Sequence, residues 1–300
     1  MWQVYEPSGT VPTRRSAAGA VRGSGAVLDP SERVAVFVCD CARASTFLLD
    51  LAADRWQVAP NDRDLGISGG ITLYDPVGDQ VLLFGGQRHG IGDYLAGAWA
   101  YDMSPARTGW RALPDVPFAV RGASATLDPG GGDVLVFGGL SAEGAVSATL
   151  WRFDLARVDQ ADAWTDLTDL AGPWPPARAG AAMVFVPEAE AAVLYGGYTP
   201  AGDLDDVWLL DYGDPGRPTW RSLDPAVPGA RSGHAGCWDA VGARMVVVGG
   251  LRGIDTSVHA LGDAWALYLA GGPEPTPSAT PPLARVDVFL PVADRSYVAP

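Results

Sequence analysis

The chain is 300 residues long and carries a formal net charge of −14, 38 glycines, 25 prolines and three cysteines. Such acidity excludes a nucleic-acid or anionic-membrane partner, because those surfaces need a basic footprint to displace counterions. All 21 basic residues are arginine, which excludes Schiff-base catalysis and a phosphate-loop lysine, and the odd cysteine count excludes a complete disulfide framework.

In chain order, Met1-Trp2-Gln3-Val4-Tyr5 has the form of an isolated outer strand and lacks the basic-then-apolar pattern of a secretion signal. Its tryptophan opens a series, Trp2, Trp56, Trp110, Trp164 and Trp220, at steps of 54, 54, 54 and 56 residues. A fixed period of this size marks a repeat architecture. The first unit is divergent: Val34-Ala35-Val36-Phe37-Val38 leads to Cys39-Asp40 where later units have two glycines, and Phe47 stands where they have tryptophan. Cys39, Cys41 and Cys237 are read as small apolar fillers. The second unit sets Ser68-Gly69-Gly70 before the apolar run Val81 to Phe84, then Gly85-Gly86 and Trp99.

The third unit spells the pattern most fully. Arg121 to Leu127 predicts a first strand, Asp128-Pro129-Gly130-Gly131-Gly132 a hairpin loop, and Val134 to Phe137 a second strand ending at Gly138-Gly139. Thr149 to Asp154 predicts a third strand and Trp164 to Leu167 a fourth. The fourth unit repeats this through Gly180-Ala181-Ala182, Gly196-Gly197 and Trp208, the fifth through Gly249-Gly250 and Trp265. Small first-strand residues suit strands that converge on an axis, and double glycine permits positive φ and close approach of a neighbouring backbone.

An apolar tetrad, a double glycine and a spaced aromatic followed by tryptophan resemble the kelch motif, over residues 1 to about 270. The resemblance implies an all-β fold, a kelch-type β-propeller of four-stranded blades. Counting second strands gives five blades. The fifth lacks a tryptophan fourth strand, and residues 1–5 are expected to supply it, which would remove an open sheet edge. The domain reading is a propeller over 1–270, a Pro/Thr-rich linker over 271–282, and a tail over 283–300 with one strand near Arg285 to Val292, which either extends as a surface tail or docks on an outer blade edge. The tail resembles the short apolar tails of exported bacterial proteins, so an extracellular or cell-surface location is expected, with the cytoplasm as the alternative. No apolar run is long enough to span a membrane.

Strand alternation puts the second-to-third and fourth-to-first connections on one face, and the long variable connections are of the former class. Loop-borne function is therefore expected on that face. It would carry Arg88, His89, Tyr94, Tyr198, Arg252 and His259, together with Trp174 and the first-strand arginines Arg121, Arg178 and Arg231. These arginines read either as a receptor for anions and carboxylates, as in eukaryotic kelch domains that grip acidic peptides, or as partners of framework aspartates. Trp174 and Tyr198 read as sugar-stacking platforms or as ordinary packing. His234 reads as satisfied inside its strand, and Asp203, Asp205 and Asp206 as the lead into the third strand rather than a calcium loop.

The functional reading is a non-catalytic module, a monomer without cofactor or metal, that binds a protein, peptide or glycan. A carbohydrate-active enzyme and a purely structural surface module are the alternatives. A copper radical oxidase needs two Tyr, two His and a Tyr-linked Cys that three histidines and the cysteine positions do not supply. A propeller glycosidase needs carboxylates on innermost strands, where this chain has Gly, Ala and Ser.

Overall fold

The computed structural model describes residues 8–9, 25–28, 34–38, 46–53, 55–59, 65, 67–88, 94–103, 109–117, 120–168, 172–223, 228–253, 259–269 and 284–288. They form two compact units, residues 1–169 with 176–179, and residues 170–175 with 180–300.

Among the described residues the first unit holds three large sheets, the second and third each flanked by a separate two-stranded ladder. In the first, β1 (Ser8–Gly9) lies parallel to β5 (Arg55–Val58), which continues the meander β2 (Gly25–Leu28), β3 (Val34–Val38), β4 (Thr46–Asp50). The second begins with the short β6 (Ile67–Ser68) and runs β7 (Ile71–Asp75), β8 (Gln80–Phe84), then β9 (Gln87–Arg88), β10 (Ala98–Asp102) and β11 (Trp110–Leu113). The third begins with β12 (Val120–Arg121) and runs β13 (Ser124–Asp128), β14 (Asp133–Phe137), β15 (Leu140–Ser141), β16 (Leu150–Asp154) and β17 (Trp164–Asp166). The long strands of each meander pair antiparallel in sequence order.

The second unit holds two more sheets. One is β18 (Ala182–Val186), β19 (Ala191–Thr199), β20 (Gly202–Asp211) and β21 (Thr219–Leu223). The other is β22 (Ala235–Asp239) and β23 (Arg244–Val248), then the hairpin β24 (Leu251–Arg252) with β25 (His259–Ala260), then β26 (Ala264–Leu269) and β27 (Ala284–Val288). The sequence gives the fourth strand of this last sheet to residues 1–5, which lie outside the described residues. The edge of β26 carries β27 instead, in parallel register from Trp265 opposite Ala284 to Leu269 opposite Val288.

The apolar tetrads become second strands and are buried throughout in β8, β14 and β19. Alternate residues of β8 serve two neighbours. Leu83 and Trp110 pack with Leu48 of the first sheet, whereas Leu82 and Phe84 pack with Val134, Val136 and Phe153 of the third. The periodic tryptophans complete these contacts: Trp110 donates to the Thr46 hydroxyl at 2.6 Å, and Trp164 packs on Phe84 and Phe153 at 5.2 and 4.7 Å. In the second unit Val193, Tyr195 and Val207 pack against Met245, Val247 and Leu267.

The Asp-led turns form as the composition predicts. Asp75, Asp128 and Asp239 each accept from backbone amides two or three residues on, at 2.8, 2.9 and 2.9 Å, the local bond that favours Asp in turns. The residue before each following strand takes positive φ: Asp79, Gly132, Glu190 and Ala243. Cys237, read as a buried filler, is instead exposed on β22.

The double glycine answers a different demand. Gly138 has φ +74°, and a Cβ there would lie 2.4 Å from the Arg178 carbonyl oxygen, while the next amide, Gly139, donates to that oxygen at 2.8 Å. Gly132, at φ +70°, has open space around it. Gly132→Ala is therefore expected to cost about 1 kcal/mol, from backbone conformation alone. Gly138→Ala should cost about 3 kcal/mol or more, because a backbone must also move. Urea denaturation of the two variants measures this, and equal losses would refute the close-approach account.

Candidate functional site

Residues entering each first strand pair with residues leaving the double glycine: Ile67 with Arg88, Arg121 with Leu140, and Ser232 with Leu251. This places the two classes of connection side by side, and the arginines that the sequence singles out divide into two groups there.

Arg231 is fully buried. Its Nη1 donates to the Gly249 carbonyl at 2.9 Å and to Asp263 Oδ1 at 2.8 Å, and its Nη2 donates to Asp263 Oδ2 at 2.9 Å. The second carboxylate oxygen also accepts from the Trp265 indole at 2.7 Å. These bonds, the Arg231 one first, hold the Asp263 carboxyl down to about 2, well below its ordinary value. Arg178 is equally buried, with Nε donating to the Pro176 carbonyl at 3.0 Å. Arg252 is exposed, but its guanidinium donates to Ala230 and Pro228 carbonyls at 2.9 and 3.2 Å. Arg178 and Arg231 thus sit in the framework and not at an open mouth, and the framework-aspartate reading describes Arg231.

Arg121 differs. It is exposed, lies over the Tyr94 ring at 5.8 Å, and donates one 3.1 Å bond to Gln87. Tyr94 is itself bridged to Gln87 through the backbone. Arg88 follows on β9, with His89 outside the described residues. Arg121, Tyr94 and Gln87 therefore form one surface group within the first unit.

In the second unit Arg252 and His259 face each other across the β24–β25 pair, both exposed. Tyr198 pairs with Asp203 across the β19–β20 hairpin, and Asp203 Oδ2 accepts from the Gly253 amide at 2.8 Å. Trp174 packs edge-on against Trp220 at 6.3 Å, and Trp208 donates to Asp206 at 2.7 Å, which gives that aspartate a structural duty. A cavity of about 20 Å³ lined by Tyr195, Val207, Met245 and Trp265 is apolar and has room for about one water. No group of three metal-ligating side chains occurs among the described residues.

Sequence reasoning missed two participants. Asp263 was legible in the spacing Asp-x-Trp, which recurs as Asp206/Trp208 and Asp263/Trp265. Tyr195 gave no signal beyond the apolar run; buried, its hydroxyl donates to the Gly229 carbonyl at 2.6 Å, and desolvation pushes its pKa up to about 12. His234 also departs from expectation: neither ring nitrogen has a partner among the described residues.

Residues 70–271, about two thirds of the chain, match the KLHDC2/KLHL20/DRC7 Kelch-repeats domain. The chain belongs to the kelch-repeat family. No curated protein matches it. Its sheets are the blades of a kelch-type β-propeller, and kelch domains are typically non-enzymatic modules that mediate protein interactions. In this kelch chain the arginine at the start of the fifth blade is a staple. Asp263→Ala would leave a buried guanidinium uncompensated and is expected to lower stability by about 3 kcal/mol. Chemical denaturation of that variant would refute the staple by showing no shift.

Proposed function

We propose that this kelch protein is a non-catalytic interaction module whose loop-bearing side receives a carboxylate-bearing segment of a partner protein or peptide. The observation that carries the reading is Arg121, exposed over Tyr94 with a single 3.1 Å side-chain bond to Gln87. A guanidinium backed by an aromatic face keeps its fork of donors for a planar acid. By contrast, Arg178, Arg231 and Arg252 each donate to groups of the fold.

Arg88 of the adjoining β9 and His89 extend the same group in sequence, and Tyr198 and His259 are the corresponding contacts we assign in the second unit. The glycan alternative has less support, because Trp174, its main stacking platform, already packs edge-on against Trp220. The acidic surface favours a monomer through mutual repulsion, and the Pro/Thr-rich segment with its tail fits display outside the cell. Among the described residues no helix is long and apolar enough to cross a membrane.

The test is fluorescence polarisation of a labelled peptide library, acidic and neutral, against the full chain. Acidic peptides are expected to bind, with affinity that falls as salt rises. Arg121→Ala should weaken the best binder by about tenfold or more, the loss of a charge-assisted bond, with an unchanged melting temperature. Equal binding of neutral and acidic peptides, or an Arg121→Ala variant with full affinity, would overturn the proposal.

A further inference from the structure

Beneath the β24–β25 pair lies a polar cluster that the binding reading does not use. His234 is 8% exposed. Its ring lies 5.1 Å from Tyr195 and is enclosed by glycine backbones: a Cβ on Gly250 would lie 2.9 Å from His234 Cβ, and one on Gly196 3.0 Å from Cε1. Among the described residues neither imidazole nitrogen meets the criteria for a hydrogen bond, and nor do Arg231 Nε and Asp203 Oδ1. Buried polar atoms are seldom left so, and here three residues from two segments of the second unit contribute them together.

The charges around the ring are unequal. Arg231 faces it from its own strand entry and Asp203 from β20; Asp263 acts through Arg231, and the Tyr195 phenol is neutral over the whole range considered. Asp205 and Arg252 act on Tyr195. Arg231 and Asp203 each hold the base of the β24–β25 pair by a second contact, Arg231 through Gly249 and Asp203 through Gly253.

We propose that His234 is an acid-operated latch: on taking a proton it donates to the free Asp203 oxygen, repels the Arg231 guanidinium, and so loosens the clamp under β24 and β25. The proton comes from solvent and is bound without any covalent step. Burial, and then Arg231, lower the His234 pKa to about 4, whereas Asp263 stays ionised down to about 2. Because the folded value lies below the ordinary one, the unfolded chain takes up the proton first. Folded stability from this group is complete above the ordinary histidine range and falls as pH drops through that range towards 4.

The experiment is hydrogen exchange by mass spectrometry on the full chain between pH 7 and pH 4, corrected for intrinsic rates, with His234→Phe and His234→Gln alongside. Wild-type peptides over 245–253 and 259–264 are expected to lose protection by tenfold or more relative to peptides of β8 and β14. A variant that cannot be protonated at this position should lose no more there than elsewhere. If His234→Phe does not fold, His234→Gln carries the comparison. An equal acid response in the variants, or no selective loss in the wild type, would overturn the latch. So would a His234 ring resonance titrating near 6.5.

Discussion

A backbone amide of one glycine meeting the carbonyl of a distant arginine is the contact on which the rest of this molecule is hung. Gly139 reaches Arg178 at 2.8 Å and Gly197 reaches Arg231 at 2.9 Å. In each case the preceding glycine sits where a Cβ would strike that same carbonyl, at 2.4 Å for Gly138 and 2.7 Å for Gly196. The contact fixes the height at which a strand entry passes the end of a second strand. Once the arginine backbone is held this way, its side chain is committed to a defined direction.

That direction separates two kinds of arginine which look identical in sequence. Arg231 finds Asp263 and the Gly249 carbonyl within reach and becomes an internal tie. Arg121 has Gln87 and an aromatic ring nearby and no carboxylate partner among the described residues, so it is left on the surface. The difference lies in what the third-strand lead supplies two residues before its tryptophan: Asp263 before Trp265, but Thr149 before Trp151. An exposed side chain and an internal tie are thus different uses of one repeated position.

The framework was legible because its causes are local. A buried apolar tetrad, an Asp-led turn and paired glycines each leave a fixed spacing, and β8, β14, β19 and β23 fall where those spacings put them. The site was legible only as a set of candidates. Whether Arg178 or Arg252 is free depends on carbonyls at Pro176, Ala230 and Pro228, and a carbonyl is present at every residue, so it leaves no mark in sequence. The isolation of the His234 nitrogens escaped for the opposite reason: it is a missing partner, and composition records only what is there.

The parallel strand β27 differs in kind from the outer strands β11, β17 and β21, which follow their antiparallel neighbours directly. A parallel neighbour cannot be delivered by a tight hairpin turn. It must arrive on a tether, here the segment between Leu269 and Ala284. Docking of the tail is then an equilibrium of its own, governed by effective concentration rather than by the cooperativity of the blade. The outer-edge amides of β26 would exchange on the clock of that tether, and the last blade would alternate between a capped edge and one able to accept a strand from elsewhere.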